Sequence, residues 1–288
     1  MRSGFLGRGI GPTVIKRRSG LAAPAPVAGA ELLTNGDFSA WSGDNPTSWI
    51  VGGTETGATY ITESVGRCRL VTDGTIITIM QSVLMTGTWY TTTIDVAAVS
   101  GFAGWLFGAA DPIITHFASG ANVGTGRAVD SIFQIKRSGG ACDAIFDNVT
   151  CRALTLASLF STRAYASADC DLSVGVTRTA GTQAGLVARL DSATSPANFI
   201  IAYLDGASNV KVDKCVAGTY TNVISGAVTY AAGRTLRLVC SGNNVSAYYN
   251  GVQVGTTQTV SDAGIVSNTR HGLFSTYAAN TFSGYTAA

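Results

Sequence analysis

No window of this chain shows helical periodicity over ten or more residues, while short strand-like runs separated by turn residues recur from residue 60 onward. That pattern confines the chain to an all-β fold of antiparallel strands with tight connections. One series of runs begins at Tyr60, Cys68, Thr75, Trp89, Trp105, Ile113, Ser131 and Ala144. Asp73-Gly74, Thr86-Gly87, Gly124-Thr-Gly126 and Ser138-Gly-Gly140 read as turns between them. A second series begins at Leu172, Gln183, Phe199, Val210, Arg234 and Asn244. Within it, Leu236, Leu238 and Cys240 face one way and Arg237 and Val239 the other, as a half-buried strand requires. Asn250-Gly251, between Ala247-Tyr-Tyr249 and Val252-Gln-Val254, is the strongest hairpin signal. The spacing predicts two tandem antiparallel β-sandwiches.

The composition agrees. At 288 residues the chain is long enough for two domains, and 46% hydrophobic residues supply a core for each. Charged residues make up only 12%, about half of the usual ~25%. Thr, Ser, Ala, Asn and 35 Gly stand in their place, which suits strands and tight turns. A surface this poor in charge suits permanent packing against neighbours, because few charges need desolvating.

The net charge of +2 conceals an asymmetry. Arg2, Arg8, Lys16, Arg17 and Arg18 precede the first acidic residue, Glu31, leaving 14 basic against 17 acidic residues in the remainder. Phe5, Leu6, Ile10, Val14 and Ile15 interleave with these cations, which favours docking into a protein groove over nucleic-acid binding. Arg2, Phe5, Leu6, Arg8, Ile10, Ile15, Arg17 and Arg18 are the expected contacts of this arm. Pro12, Pro24 and Pro26 fall in the same stretch, and Ala22–Val27 reads as an extended linker with a flexible joint over 21–30. The start of the sequence lacks a signal-peptide apolar stretch, and no run approaches the ~20 apolar residues of a membrane span. Synthesis in a cytoplasm with reduced thiols and no membrane insertion is therefore expected. The six cysteines (68, 142, 151, 170, 215 and 240) form no CxxC pair or Cys/His cluster, which argues against zinc. Cys142 and Cys151 are close enough in sequence to meet across a hairpin; the others read as small buried hydrophobes.

Two resemblances refine this picture. Leu33-Thr-Asn-Gly-Asp-Phe38, followed by Trp41 and Trp49, and Phe146-Asp-Asn-Val149 resemble the opening and closing strands of the β-jelly-roll carbohydrate-binding modules of bacterial xylanases and glucanases. The resemblance implies that both ends of a module spanning 31–154 lie side by side. It also implies that Asp37 and Asp147 can share a structural calcium; the alternative is that Asp37 holds the Asn-Gly turn and Asp147 caps the last loop. All four tryptophans (41, 49, 89 and 105) fall in this module. Three are assigned to its core, and Trp105 is the candidate for exposed stacking on a glycan. Residues 155–288 resemble a concanavalin/laminin-G-type sandwich. That likeness rests on Thr235-Leu-Arg-Leu-Val-Cys240, Val245-Ser-Ala-Tyr-Tyr-Asn-Gly-Val252 and His271-Gly-Leu-Phe-Ser275. Residues 1–30 then form an extended N-terminal arm and linker.

Catalysis finds little support. A glycosidase needs two facing carboxyls. The chain has only Glu31, Glu55 and Glu63, and Asp169-Cys-Asp171 is the nearest substitute pair. A hydrolytic triad needs a placed histidine. His116 lies on an apolar strand and reads as half-buried, and His271 reads as loop-exposed. Gly7-Arg-Gly-Ile-Gly11 and Gly124-Thr-Gly-Arg127 lack the strand–loop–helix setting of a phosphate loop. The layout of an arm followed by two sandwiches resembles virion decoration, neck and tail-fibre proteins of tailed bacteriophages. It implies a non-enzymatic, homo-oligomeric structural protein, assembled in a host cytoplasm and anchored to capsid or tail by residues 1–20. A glycan-binding adhesin is the alternative, and a glycoside hydrolase the remote one.

Overall fold

A computed structural model of the chain describes residues 20–109 and 115–288. The arm contacts from Arg2 to Arg18 lie outside the described residues. The first sandwich contains β1 (Ala28–Glu31), β2 (Trp41–Ser42), β3 (Asn45–Pro46), β4 (Ile50–Gly53), β5 (Tyr60–Glu63), β6 (Cys68–Thr72), β7 (Ile77–Ser82), β8 (Trp89–Phe107), β9 (Thr115–His116), β10 (Gly120–Arg127) and β11 (Ile132–Leu154). The second contains β12 (Phe160–Ala164), β13 (Cys170–Thr177), β14 (Ala184–Leu190), β15 (Phe199–Leu204), β16 (Asn209–Val216), β17 (Thr219–Ala227), β18 (Arg234–Ser241), β19 (Asn244–Tyr249), β20 (Val252–Thr259), β21 (Arg270–Ser275) and β22 (Thr281–Ala287). No helix among the described residues is long and apolar enough to cross a membrane.

Two long bent strands hold both layers of the first sandwich together. β8 and β11 run antiparallel to each other from Phe107↔Phe133 to Tyr90↔Ala153. The first part of β11 also pairs with β7 and the later part with β6. One layer is therefore β4–β7–β11–β8–β9 and the other β5–β6–β11–β8–β10. The strands turn from one layer to the other at Gly101 (φ +74°) and Gly140 (φ +64°). A Cβ on Gly101 would sit 2.2 Å from the Ala141 carbonyl oxygen, so only glycine allows the crossing. Ser138-Gly-Gly140, expected as a turn between strands, is thus a bend within one strand. Gly124 and Gly126 are not a turn either. They lie inside β10, where Cβ atoms would collide with the rings of Trp105 and Phe107 at 2.2 and 2.4 Å.

The opening and closing strings meet as the resemblance implied, since β1 pairs with the end of β11. Gly36 permits the contact: the Val149 N–H donates to its carbonyl at 2.8 Å, and a Cβ there would lie 2.1 Å from the Val149 oxygen. Asn35 (φ +54°) pins the adjoining loop through Ala40 and Thr47, and Phe38 packs edge-on against Phe146 at 5.6 Å. Glu31 completes the seam. One carboxylate oxygen accepts from the N–H groups of Leu32, Leu33 and Cys151 at 2.8–3.1 Å, and the other pairs with Arg152 at 3.2 Å.

The second sandwich has a six-stranded sheet, β12–β21–β14–β15–β16–β17, packed on a five-stranded sheet, β20–β19–β18–β13–β22. Leu172, Val174, Leu236, Leu238, Val245 and Ala247 of the smaller sheet face Leu186, Ile200, Ala202, Val212 and Leu273 of the larger. Asn250 (φ +50°) and Gly251 (φ +85°) form the expected hairpin.

The six-stranded sheet is buried on its other face as well. Val187, Leu190, Phe199, Ile201, Tyr203, Cys215 and Phe274 form a third core with Trp89 and Leu154 of the first sandwich and Leu159 of the connecting 3-10 turn (Leu156–Leu159). Every residue of β14 and β15 is buried in consequence. Trp89 contacts the rings of Tyr203, Tyr220 and Phe274, and its indole N–H donates to the Tyr220 hydroxyl at 3.1 Å. Arg127 lies 4.0 Å above the Tyr220 ring and forms an ion pair at 3.0 Å with Asp213, though that N–H is not aligned for a hydrogen bond. Asp213 is 1% exposed and also accepts from Tyr203 and Asn222. Thr125 adds a polar link: its N–H donates to the Gly181 carbonyl at 2.9 Å, and its carbonyl accepts from Gln183 at 2.8 Å.

Three expectations fail here. The segment expected as a flexible joint packs on its own chain: Leu21 lies against the second core, Pro24 is buried, and Val27 hydrogen-bonds to Thr155 and Ser158 of the connector. Cys142 and Cys151 do not meet across a hairpin. Both are free thiols on β11, where the eight residues between them keep them far apart along one strand, by up to about 30 Å. His271 lies on β21, 1% exposed, rather than in a loop.

Arg127→Met leaves Asp213 buried without its cation and should cost about 3–5 kcal/mol in denaturant unfolding. Trp89→Ala should cost a similar 3–5 kcal/mol. If the third core couples the two sandwiches, each variant should also change a single unfolding transition into two. Glu31→Ala should cost about 1–3 kcal/mol through orphaned N–H groups, while calcium chelation should leave the thermal midpoint of the unmodified chain unchanged.

Candidate functional site

Because the third core covers the outer face of the six-stranded sheet, the five-stranded sheet carries the open sheet face of the second sandwich. Its register lines up one row of side chains on that face: Thr286↔Ser173↔Arg237↔Tyr248↔Gln253. The period of two explains the row, since Leu172, Leu236, Leu238 and Ala247 turn inward on either side of it.

Electrostatics fix the centre of this face. Arg237 donates through Nε and Nη2 to the two oxygens of Asp171 at 2.7 and 2.8 Å. The arginine and aspartate side chains are 41% and 38% exposed. The hydrogen bonds to Asp171 hold the guanidinium more firmly protonated than usual. Its carbon lies 5.0 Å from the centre of the half-buried Tyr248 ring. A guanidinium has five N–H groups, so three remain beyond the two given to Asp171. Ser173 and Thr286 share a hydroxyl hydrogen bond at 2.7 Å, and Ser246 and Thr257 another at 2.8 Å. The face thus presents an aromatic ring beside a preorganised planar donor, flanked by hydroxyl and amide groups.

The first sandwich carries a pocket of about 320 Å³ lined by Arg67, Asp95, Val96, Gly120, Asp147 and Asn148, among others. Asp95 and Asp147 are directly opposed on β8 and β11, and Asn148 donates to Asp95 at 3.0 Å. Asp147 is one of the two carboxylates proposed for calcium. Asp37, the other, does not line this pocket; it accepts from the Ser39 hydroxyl at 3.0 Å and so holds its own turn. Among the described residues no group of three His, Cys, Asp or Glu could hold a metal ion. Glu31, near the same seam, is occupied by N–H donors and a guanidinium, a setting that repels a cation.

Trp105 is not a stacking platform. It is 2% exposed, in contact with Phe117 and covering Gly124, which has no side chain to keep the indole out. Trp49 and Trp89 are also buried and Trp41 is half-buried, so aromatic exposure on the open face comes from Tyr248. Nothing in the sequence alone marked Tyr248 above Tyr249. The pairing of Tyr249 with the inward Leu236 decides that Tyr248, opposite Arg237, faces outward.

His271 offers no catalytic base. Its Nδ1 accepts from the Arg189 N–H at 3.0 Å and its Nε2 lies 3.0 Å from the Ser167 carbonyl, which requires the neutral Nε2–H tautomer. Burial, reinforced by Arg189, pushes its pKa below the ordinary value. Arg189 itself is fully buried at φ +53° and bonds to Asp169 and the carbonyls of Ala168 and Gly242.

No family model matches the chain, and no curated protein matches it in sequence. Solved structures similar to it include a carbohydrate-binding module from Bacillus subtilis, at 12% identity over 84% of this chain and 91% of that one, with a TM-score of 0.31. Sheep galectin-11, in complex with glycerol, is similar over 44% of this chain and 96% of its own, at 6% identity and a TM-score of 0.35. The κ-carrageenase of Pseudoalteromonas carrageenovora is similar over 97% of this chain and 86% of its own, at 10% identity and a TM-score of 0.27. At these scores the likenesses add nothing to the strand pairing, which establishes the paired β-sandwiches by itself.

Because His271 is held neutral, the unfolded chain binds a proton that the folded chain refuses just below the ordinary histidine pKa of about 6.5. Stability is then full above that pH and declines as pH falls, by at most about 1.4 kcal/mol per pH unit. Urea unfolding between pH 7.5 and 5.5 should show this decline, and His271→Asn should flatten it.

Proposed function

We propose that this chain is a non-catalytic carbohydrate-binding protein that holds its glycan on the outer face of the five-stranded sheet. The observation that carries this reading is the row Ser173–Arg237–Tyr248–Gln253 on the open sheet face, with the opposite sheet buried on both sides. Sugar rings present C–H faces that pack on an aromatic ring and hydroxyls that need directional donors and acceptors. Tyr248 supplies the first and Arg237, Gln253, Ser173 and Thr286 the second. Asp171 holds the guanidinium in place, so little side-chain entropy is lost on binding. The second sandwich contains no glutamate, and its histidine is buried and committed to structural hydrogen bonds, which supports binding without hydrolysis. The alternative, a virion role, rests on the layout of an arm followed by two weakly charged sandwiches; the arm from Arg2 to Arg18 lies outside the described residues, and the stretch from Leu21 to Val27 packs on its own chain.

A glycan array followed by calorimetry tests the reading. Arg237→Met and Tyr248→Ala should each weaken the glycan identified by about 10-fold or more, with thermal midpoints close to that of the unmodified chain. Unchanged affinity in both variants would place the site elsewhere. Release of reducing sugar by the unmodified protein would remove the non-catalytic part of the reading and direct attention to Asp95 and Asp147.

A further inference from the structure

Cys170 and Cys240 are the one pair of cysteines among the described residues that face each other across neighbouring strands. Cys68 is opposite Phe146, Cys142 opposite Thr72, Cys151 opposite Thr92, and Cys215 opposite Phe199 and Tyr220. The type of rung can be read from the neighbouring bonds. Asp171 spends its N–H and its carbonyl on Ala288 of the adjacent chain end, at 2.9 and 3.2 Å. The alternation of an antiparallel ladder therefore turns the backbone groups of Cys170 toward Cys240. Opposed residues in such a hydrogen-bonded rung have Cα atoms about 5.5 Å apart, within the ~4.4–6.8 Å that a disulfide spans.

Both side chains point into the second core from directly opposed positions, 6% and 1% exposed. We propose that Cys170 and Cys240 form a redox-responsive dithiol that closes into a cross-strand disulfide on exchange with a low-molecular-weight disulfide. One thiolate attacks a sulfur of the oxidant and releases one small thiol. The second cysteine, deprotonated, attacks the mixed disulfide and releases the other. Two electrons and two protons leave the protein, and the small disulfide is reduced to two thiols.

The electrostatic setting supports this order of events. Its hydrogen bond from Cys170 and the nearby Arg189 guanidinium lower the pKa of Cys240, while the shared proton and burial raise that of Cys170. The rung begins β13 and lies one residue from the end of β18, so local opening of these strand ends, against the bonds of Asp169 and Gly242 to Arg189, is the step that admits the oxidant and that urea promotes. It also lies three residues from Ser173↔Arg237 on the same two strands, so closure staples the open sheet face. The inference stands independently of what that face binds.

Peptide mapping tests it on the full chain. The reduced protein is treated with oxidised glutathione, with and without sub-denaturing urea, and remaining thiols are blocked before digestion. The expected result is a fall from six free thiols to four, one linked peptide joining Cys170 to Cys240, and a thermal midpoint raised by roughly 5 °C or more. Dithiothreitol should reverse all three. Six persistent thiols under both conditions, a stable glutathione adduct without closure, or linkage between any other pair would overturn the proposal. Cys170→Ser and Cys240→Ser should abolish the midpoint shift; should either fail to fold, the map of the unmodified chain decides alone.

Discussion

The burial of one sheet on both faces organises the molecule. β14 and β15 separate two cores: their inward residues meet the five-stranded sheet, and their outward residues meet Trp89, Leu154 and Leu159. A sandwich normally leaves the outer face of each sheet to water. Here the aromatic cluster around Trp89, with the Arg127–Asp213 ion pair set inside it, removes one such face. Desolvating that pair is costly, and the cost is partly offset by Tyr203 and Asn222, which donate to Asp213, and by the Tyr220 ring under the Arg127 guanidinium. The two sandwiches are accordingly parts of one packed body, and in the second sandwich only the five-stranded sheet keeps an open outer face.

The first sandwich depends on backbone freedom in the same way that the second depends on packing. Two strands cross between its layers because Gly101 and Gly140 adopt left-handed backbone angles there. Gly36 lets the seam close, and Glu31 ties it with hydrogen bonds and an ion pair. Gly124 and Gly126 admit two aromatic rings into the sheet interior. At Gly36, Gly101, Gly124 and Gly126 the missing side chain makes room for a specific neighbour, whereas Gly140 contributes its backbone angle alone.

Much of this was legible in the residues. Alternation over Leu236–Cys240, the Asn250-Gly251 hairpin and the meeting of the two bracketing strings are local or near-local matters, and the structure has all of them. Misreadings cluster where a residue type has two uses. Glycines at 124, 126 and 140 read as turns because glycine favours turns, yet they serve close approach and bending. Trp105 read as exposed because glycines flank it, yet those beside it in space are what bury it. The run Phe199-Ile-Ile-Ala-Tyr-Leu204 lacks a polar face, which is the signature of two-sided burial. It names no partner, because Trp89 lies more than a hundred residues away.

Sequence alone therefore determined the strand class, the Asn250-Gly251 hairpin, the inward face of cleanly alternating strands such as Leu236–Cys240 and the low charge of the chain, because side-chain alternation and turn chemistry act over two to four residues. Only the tertiary structure decided which sheet face stays open, which charges are buried together and which two cysteines stand opposite each other. Those depend on register between strands distant in the chain, and a shift of one residue would exchange every inward side chain for an outward one.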